Sequence, residues 1–298
     1  MSMWFCKRII LILGMLPILT LPGHARADDL ASVIDLVGIP PPYVFNKFCM
    51  LSSRESWDVG GYGQIVHYFP DGKRHEQHPV DADLLGVSFV NSNSGWIVGS
   101  KGTILGTTDG GNHWLQQTSG LNVDLEAIAC VDENHCWVVG RNGAVLRTET
   151  AGRDWRKVDV GLSEDLYAVD FINRQIGWAV GEDGVVVRTV DGGLTWDVRR
   201  VGMVLFPKGM FPAPANLFAV KFVDHKLGWV AGLGGIARTI DGGETWQTKL
   251  KRNSLSGIGL VCPDGKRVWA INKEGKNYYS EDAGETWKPY STPAKNRS

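Results

Sequence analysis

An all-β fold of repeated four-stranded units is the fold class this sequence predicts, on three observations. The octapeptide TVDGGLTW, residues 189–196, recurs as TTDGGNHW ending at Trp114, TETAGRDW ending at Trp155, TIDGGETW ending at Trp246 and SEDAGETW ending at Trp287. A second series, Trp57, Trp96, Trp137, Trp178, Trp229 and Trp269, counts units 39, 41, 41, 51 and 40 residues apart. Between these markers β-branched runs alternate with Gly and Asp turns, and no helical period appears. Periods of this length mark stacked repeats, and six units of four short strands predict a β-propeller of six blades, or seven if the N-terminal segment contributes one.

In chain order, residues 1–27 read as a secretory signal peptide: Lys7 and Arg8 precede the apolar run Ile9 to Leu21, and Ala25-Arg26-Ala27 offers a small-x-small cleavage site. Residues 28–45 form an N-terminal segment in which Pro40 to Pro42 enforce an extended chain. Residues 46–298 hold the propeller. Its units share one grammar, seen in LYAVDFI (166–172), GWAVG (177–181), GVVVRT (184–189), the DGG turn, and TWDVRRV (195–201), where Trp196 opens the outer strand. The first unit departs from it, with PDGKRH (70–75) in place of the turn motif and no closing tryptophan.

Composition narrows the function classes. At 298 residues, 43% hydrophobic and 21% charged, the chain can bury a substantial core. Cleavage after residue 27 removes three of the 31 basic residues and none of the 32 acidic ones, leaving a formal charge of −4. That balance gives no sign of a nucleic-acid surface, and no nucleic-acid partner is expected.

The repeated turn has a physical role of its own. Asp191 is placed to accept from the amides that follow it, Gly192 and Gly193 permit left-handed dihedrals, and Trp196 can pack against the turn. A buried indole removes roughly 150–250 Å² from water, an upper estimate of about 4–6 kcal/mol. The series Asp109, Trp114, Trp155, Asp191, Trp196, Asp241, Trp246, Asp282 and Trp287 can therefore stabilise the rims without any ligand.

These turns are what the sialidase family calls Asp boxes, and the whole unit, GWxVGxxGxxxRTxDGGxTW, resembles the photosystem II stability and assembly factor family over about residues 86–290. The resemblance implies a β-propeller without a catalytic centre or cofactor. It implies a lumenal or periplasmic scaffold that helps assemble a membrane complex, in the thylakoid lumen if the source is photosynthetic. The alternative from a different class is an Asp-box glycan-binding protein or sialidase-like glycoside hydrolase. Against it, one aspartate per blade on a peripheral turn does not give the roughly 5–9.5 Å carboxylate pair that glycoside hydrolysis uses. DGG turns lack the alternating oxygens and closing Glu of a calcium loop, and in HEQH (75–78) positions three apart on a strand face opposite sides, which argues against zinc.

Two features are candidates for binding a membrane or envelope protein, with peripheral membrane contact as a variant and a small-molecule ligand not expected. Arg147, Arg188 and Arg238 hold one position in three consecutive units and could form an arc that receives carboxylates. Alternatively each stacks on a tryptophan or bonds a turn carbonyl of its own blade. The second feature is the ten-residue excess in GMVLFPKGMFPAPANL, 202–217, where Met203, Leu205, Phe206, Met210 and Phe211 lie among prolines and glycines. Solvated loops are seldom this apolar, so the segment either folds back over its blade or anchors a partner.

Export leaves four cysteines in the mature chain, and an even count in an oxidising compartment permits disulfides. Cys130 and Cys136 bracket the turn VDENH between a first and a second strand, where opposed Cα atoms come within disulfide range, and this bridge is expected. Cys49 and Cys262 fall in the first and last units. Those units become neighbours if six blades close the ring, where the two could pair across a loop of over 200 residues or else serve as small buried core residues.

Overall fold

A computed structural model describes residues 45–52, 55–202, 204–205, 213–252, 255, 258–262, 264–272 and 277–290. The protein is an all-β propeller of six four-stranded antiparallel blades. Blade 1 comprises β1 (Phe45–Ser52), β2 (Glu55–Gly60), β3 (Ile65–Tyr68) and β4 (Arg74–Gln77). Blade 2 comprises β5 (Leu84–Phe89), β6 (Gly95–Gly99), β7 (Ile104–Thr107) and β8 (Leu115–Gln117). Blade 3 holds β9 (Leu125–Cys130), β10 (Cys136–Gly140), β11 (Val145–Thr148) and β12 (Arg156–Val158). Blade 4 holds β13 (Leu166–Phe171), β14 (Gly177–Gly181), β15 (Val185–Thr189) and β16 (Asp197–Arg200). A two-stranded hairpin, β17 (Val204–Leu205) and β18 (Ala213–Pro214), precedes blade 5, which is β19 (Leu217–Phe222), β20 (Gly228–Gly232), β21 (Gly235–Thr239) and β22 (Gln247–Lys251). Blade 6 is β23 (Ile258–Val261), β24 (Val268–Asn272), β25 (Asn277–Ser280) and β26 (Lys288–Tyr290).

Burial explains the strand sequences. Second strands such as GWIVG and GWAVG are buried at every residue, because both of their faces meet neighbouring blades. Outer strands such as LQQ and RKV are mostly exposed and carry polar residues. Blade 1 builds all four strands without an Asp box, and its last strand is tied to blade 2 by Gln77, which donates to the Gly111 carbonyl at 2.8 Å. Trp196 stands at the entrance to β16, where the sequence places it. It lies one residue before the strand, at the end of the turn, with its ring edge-on to Phe171.

That boundary is built the same way several times over. Trp57, Trp137 and Trp178 stack on Phe89, Phe171 and Phe222 of the following blade, with ring centroids 4.5, 3.7 and 3.5 Å apart. Each phenylalanine then meets the box tryptophan of its own blade edge-on: Trp114 at 6.0 Å, Trp196 at 5.8 Å and Trp246 at 5.9 Å. The opposite edge has its own repeated contact. Asp83, Asp124, Asp165 and Asn216, each just before an inner strand or opening its approach, accept from the amides of Tyr62, Lys101, Asn142 and Asp183 in the preceding blade. Those four donors all have positive φ, in turns between second and third strands.

Cys130 and Cys136 are directly opposed in the β9–β10 register and form a disulfide, with Cα atoms 4.1 Å apart. The pair Cys49–Cys262 is not formed, and Cys262 is a free, buried thiol. The sulfur of Cys49 is already held in another disulfide, and the surroundings of the two cysteines differ. Cys49 packs in the core that blade 1 shares with Phe89 and Ile97 of blade 2, whereas Cys262 packs against Trp229 of blade 5.

Candidate partner-binding surface

Within each Asp box the aspartate is consumed by its own turn. In blade 4, Asp191 Oδ1 accepts from the Thr189 hydroxyl at 2.8 Å and from the amides of Leu194 and Thr195 at 3.0 Å each, while Oδ2 accepts from the Thr195 hydroxyl. Asp241 and Asp282 repeat this with Thr245 and Thr286, and Asp109 does so with His113, whose ring Nδ1 lies 2.7 Å from Oδ2. In blade 3 Thr150 stands where the aspartate belongs and accepts from the Asp154 amide at 3.0 Å, beside Trp155. Burial works to raise the pKa of Asp191, Asp241 and Asp282. The hydroxyls and amides of their turns outweigh it and hold each carboxyl at about 2. Asp109 is also held at about 2, chiefly by its hydrogen bonds from His113. At neutral pH these are ionised acceptors, unlike a catalytic acid, which needs a raised pKa.

The box also faces the preceding blade. Trp137, Trp178 and Trp229 donate their indole N–H to the carbonyls of Gly192, Gly242 and Ala283 at 2.8, 2.9 and 3.1 Å. The second glycine of the box is required twice over. Gly193 has φ of +79°, and a Cβ there would sit 2.8 Å from the Trp137 ring nitrogen.

Arg147, Arg188 and Arg238 lie directly across from Trp137, Trp178 and Trp229 in the ladder, near the box edge of their blades. Arg147 pairs with Glu149 of its own turn. The other two partner neither a tryptophan nor a turn carbonyl of their own blade. Arg188 reaches Glu244 of blade 5 at 3.2 Å, and Arg238 reaches Glu285 of blade 6. Arg199 and Lys249 close on the same two glutamates. Side-chain exposures of 8%, 24% and 13% leave the row mostly covered. Sequence reading passed over Glu244 and Glu285, although both fill the variable position of DGGxTW or DAGxTW with an acid, one blade after an arginine.

The hairpin β17–β18 stands on the other edge. Its stem pairs Val204 with Pro214 and Leu205 with Ala213, and β18 lies against the turn Glu182–Gly184 between the second and third strands of blade 4. Met203, Phe206, Met210 and Phe211 lie outside the described residues, as does the side chain of Leu205. Strand direction alone separates the two candidates. Third strands run toward the box edge, fourth strands run back, and the insertion follows a fourth strand. The arginine row and the insertion therefore occupy opposite faces of the disc. The insertion's face also carries charge: Arg141 contacts Asp124, Glu126 and Asp165 at 3.2–3.5 Å, and Arg200 pairs with Glu164.

The family model for the photosynthesis system II assembly factor YCF48 matches residues 72–166 and 153–289, which is most of the chain. The chain belongs to this family. A 42-residue stretch is 50% identical to the chloroplast photosystem II stability/assembly factor HCF136 of Guillardia theta, covering 13% of this chain and only 11% of that relative. Among solved structures, YCF48 bound to D1 peptide is 22% identical with a TM-score of 0.58, over 79% of this chain and 76% of that one. YCF48 from Cyanidioschyzon merolae is 19% identical with a TM-score of 0.59, over 79% and 80%. The structure of U3-55K reaches a TM-score of 0.62 at 12% identity, over 74% and 70%. Likenesses at these identities show a shared propeller fold, which by itself selects no function.

Proposed function

We propose that this YCF48-family protein is a non-enzymatic scaffold, exported from the cytoplasm, that holds a segment of a membrane protein while a complex is assembled. The observation that carries the reading is the family match across residues 72–289. The solved complex of a relative with a D1 peptide supports a segment of a membrane protein as the partner's class. The Cys130–Cys136 disulfide fits an oxidising compartment, and the lysine-arginine pair, apolar run and Ala-x-Ala site of residues 1–27 fit export. Among the described residues, no helix is long and apolar enough to cross a membrane.

The binding face in this reading is the one carrying the insertion after blade 4, whose apolar side chains are the anchor. The arginine row is the weaker candidate, since its members are already paired with glutamates. Affinity capture by the tagged mature chain from detergent-solubilised envelope membranes tests the function. One integral membrane protein should be enriched at least tenfold over a tag-only control. Enrichment of soluble glycoproteins, or turnover of sialosides, would replace the reading with the glycan-directed one.

A further inference from the structure

The inner strands start at the insertion's edge of the disc, and in blades 2–5 they carry the same irregularity there. The ladder between first and second strands skips the second inner-strand residue, as where Leu166 pairs with Gly181 and Ala168 with Val180. The skipped residues are Leu85, Glu126, Tyr167 and Phe218. A bulged residue makes no ladder pair, and its side chain is re-aimed. All four are only partly buried, although the residues on either side of each are buried. Because β5, β9, β13 and β19 lie side by side around the propeller axis, the four form an arc at the centre of the insertion's face. Tyr167 and Phe218 meet within it, their ring centroids 5.4 Å apart.

The surroundings of the arc select a charge. On this edge the loops and turns 78–83, 100–103, 118–124, 141–144, 159–165 and 182–184 hold eight acids against Lys101 and Arg141. Arg141 is shared among Glu126 and Asp124, each at 3.2 Å, and Asp165 at 3.5 Å, while Arg200 is engaged by Glu164. Burial, followed by the carboxylates of Asp165 and Glu182, pushes the Tyr167 hydroxyl up to about 12 against the opposing pull of Arg141. A negative field therefore remains at the ring after Arg141 is counted. On the blade 5 side the sign reverses at Lys251 and Arg252. An aromatic ring beside carboxylates suits a lysine or arginine side chain, which can lie on the ring face and pair with the acid together. Leu85 and Phe218 offer apolar surface at the two ends.

We propose that this arc is a docking surface for a partner segment that presents a lysine or arginine between apolar side chains, the cation at Glu126 and Tyr167 and the apolar neighbours on Phe218 and Leu85. Charge decides between occupants. A second copy docking through the same edge would set these acids against themselves, and an anionic lipid surface is repelled for the same reason. A basic and apolar segment meets both the ring and the carboxylates. The inference takes from the partner-binding reading only the choice of face, and it adds the chemistry of what is held there.

Binding of two labelled peptides to the purified mature chain tests it: Gly-Leu-Arg-Leu-Arg-Leu-Gly, and the same peptide with glutamine in place of each arginine. The arginine peptide should bind about tenfold more tightly than the glutamine one. Glu126→Gln and Tyr167→Leu should each weaken the arginine peptide at least threefold, and Arg188→Ala on the opposite face should leave it unchanged. Thermal midpoints accompany each variant, and if Tyr167→Leu fails to fold, Glu126→Gln decides alone. Equal binding of the two peptides, or arginine-peptide binding indifferent to Glu126→Gln, would overturn the proposal. Self-association of the parent that Glu126→Gln abolishes would also overturn it, by making a second copy the occupant. Loss of peptide selectivity while envelope capture still depends on residues 206–212 would remove the arc and leave the partner-binding reading standing.

Discussion

Cys130 and Cys136 in blade 3 occupy the positions of Phe171 and Gly177 in blade 4. In blades 2, 4 and 5 an inner-strand phenylalanine lies over a second-strand glycine so closely that a Cβ on Gly95, Gly177 or Gly228 would meet the ring at 2.5 Å. Blade 3 replaces ring and gap together with a disulfide. Both solutions fill one volume, facing the preceding blade's second-strand tryptophan.

The pair should therefore be exchangeable as a pair. Cys130→Phe with Cys136→Gly is expected to fold without a disulfide, within about 1.5 kcal/mol of the parent in urea unfolding, because about 2 kcal/mol of small-loop closure is offset by the buried ring. Cys130→Phe alone leaves Cys136 in the space the ring needs and should cost about 1–3 kcal/mol.

The second box glycine makes a separate prediction. Gly193→Ala forces a side chain onto a φ of +79° and into the Trp137 indole, with an expected loss of about 2–4 kcal/mol. Gly120 has a similar φ of +72° but open space around it, so Gly120→Ala should cost only about 1 kcal/mol. Equal losses would show that the blade-to-blade contact contributes nothing beyond backbone strain.

Acid should act through the boxes. Asp109, Asp191, Asp241 and Asp282 have folded pKa values of about 2, below the ordinary 3.8. The unfolded chain binds protons first as pH falls, so their contribution is complete above about pH 4 and is lost between pH 4 and pH 2. The urea midpoint should drop across that window. Asp191→Asn should flatten the drop while leaving the midpoint's behaviour above pH 5 parallel to the parent.

Arg188 and Arg238 join neighbouring blades through partly exposed ion pairs, so each alanine substitution should cost about 0.2–1 kcal/mol. The difference should shrink in about 0.5 M salt, where exposed charges are screened. Arg147→Ala should cost more and resist salt, because its side chain is only 8% exposed.

Blade number, strand order and the Cys130–Cys136 bridge were legible because each is written in local spacing. The partner of each box was not. Trp137 and Gly192 are 55 residues apart, and Arg188 and Glu244 are 56 apart, so periodicity shows that both recur without showing which blade each addresses. The box closes its own turn, as the sequence suggests, and is also the joint to the preceding blade. Both turn positions have positive φ, yet alanine takes the first in blades 3 and 6 and only the second is glycine in all five boxes, where a Cβ would meet a side chain of the preceding blade. Asp58 follows Trp57 and so was alignable, but a lone strand aspartate carries no motif, and only its burial without a donor makes it conspicuous.

The central claim, that the insertion's face holds a membrane-protein segment, is tested most directly by repeating the envelope capture with two variants. Deletion of residues 206–212 should lose the enriched membrane protein while the thermal midpoint stays within a few degrees of the parent. Arg188→Ala with Arg238→Ala should retain it. The reverse pattern, retention by the deletion and loss by the arginine variant, would contradict the assignment and move the binding surface to the box face.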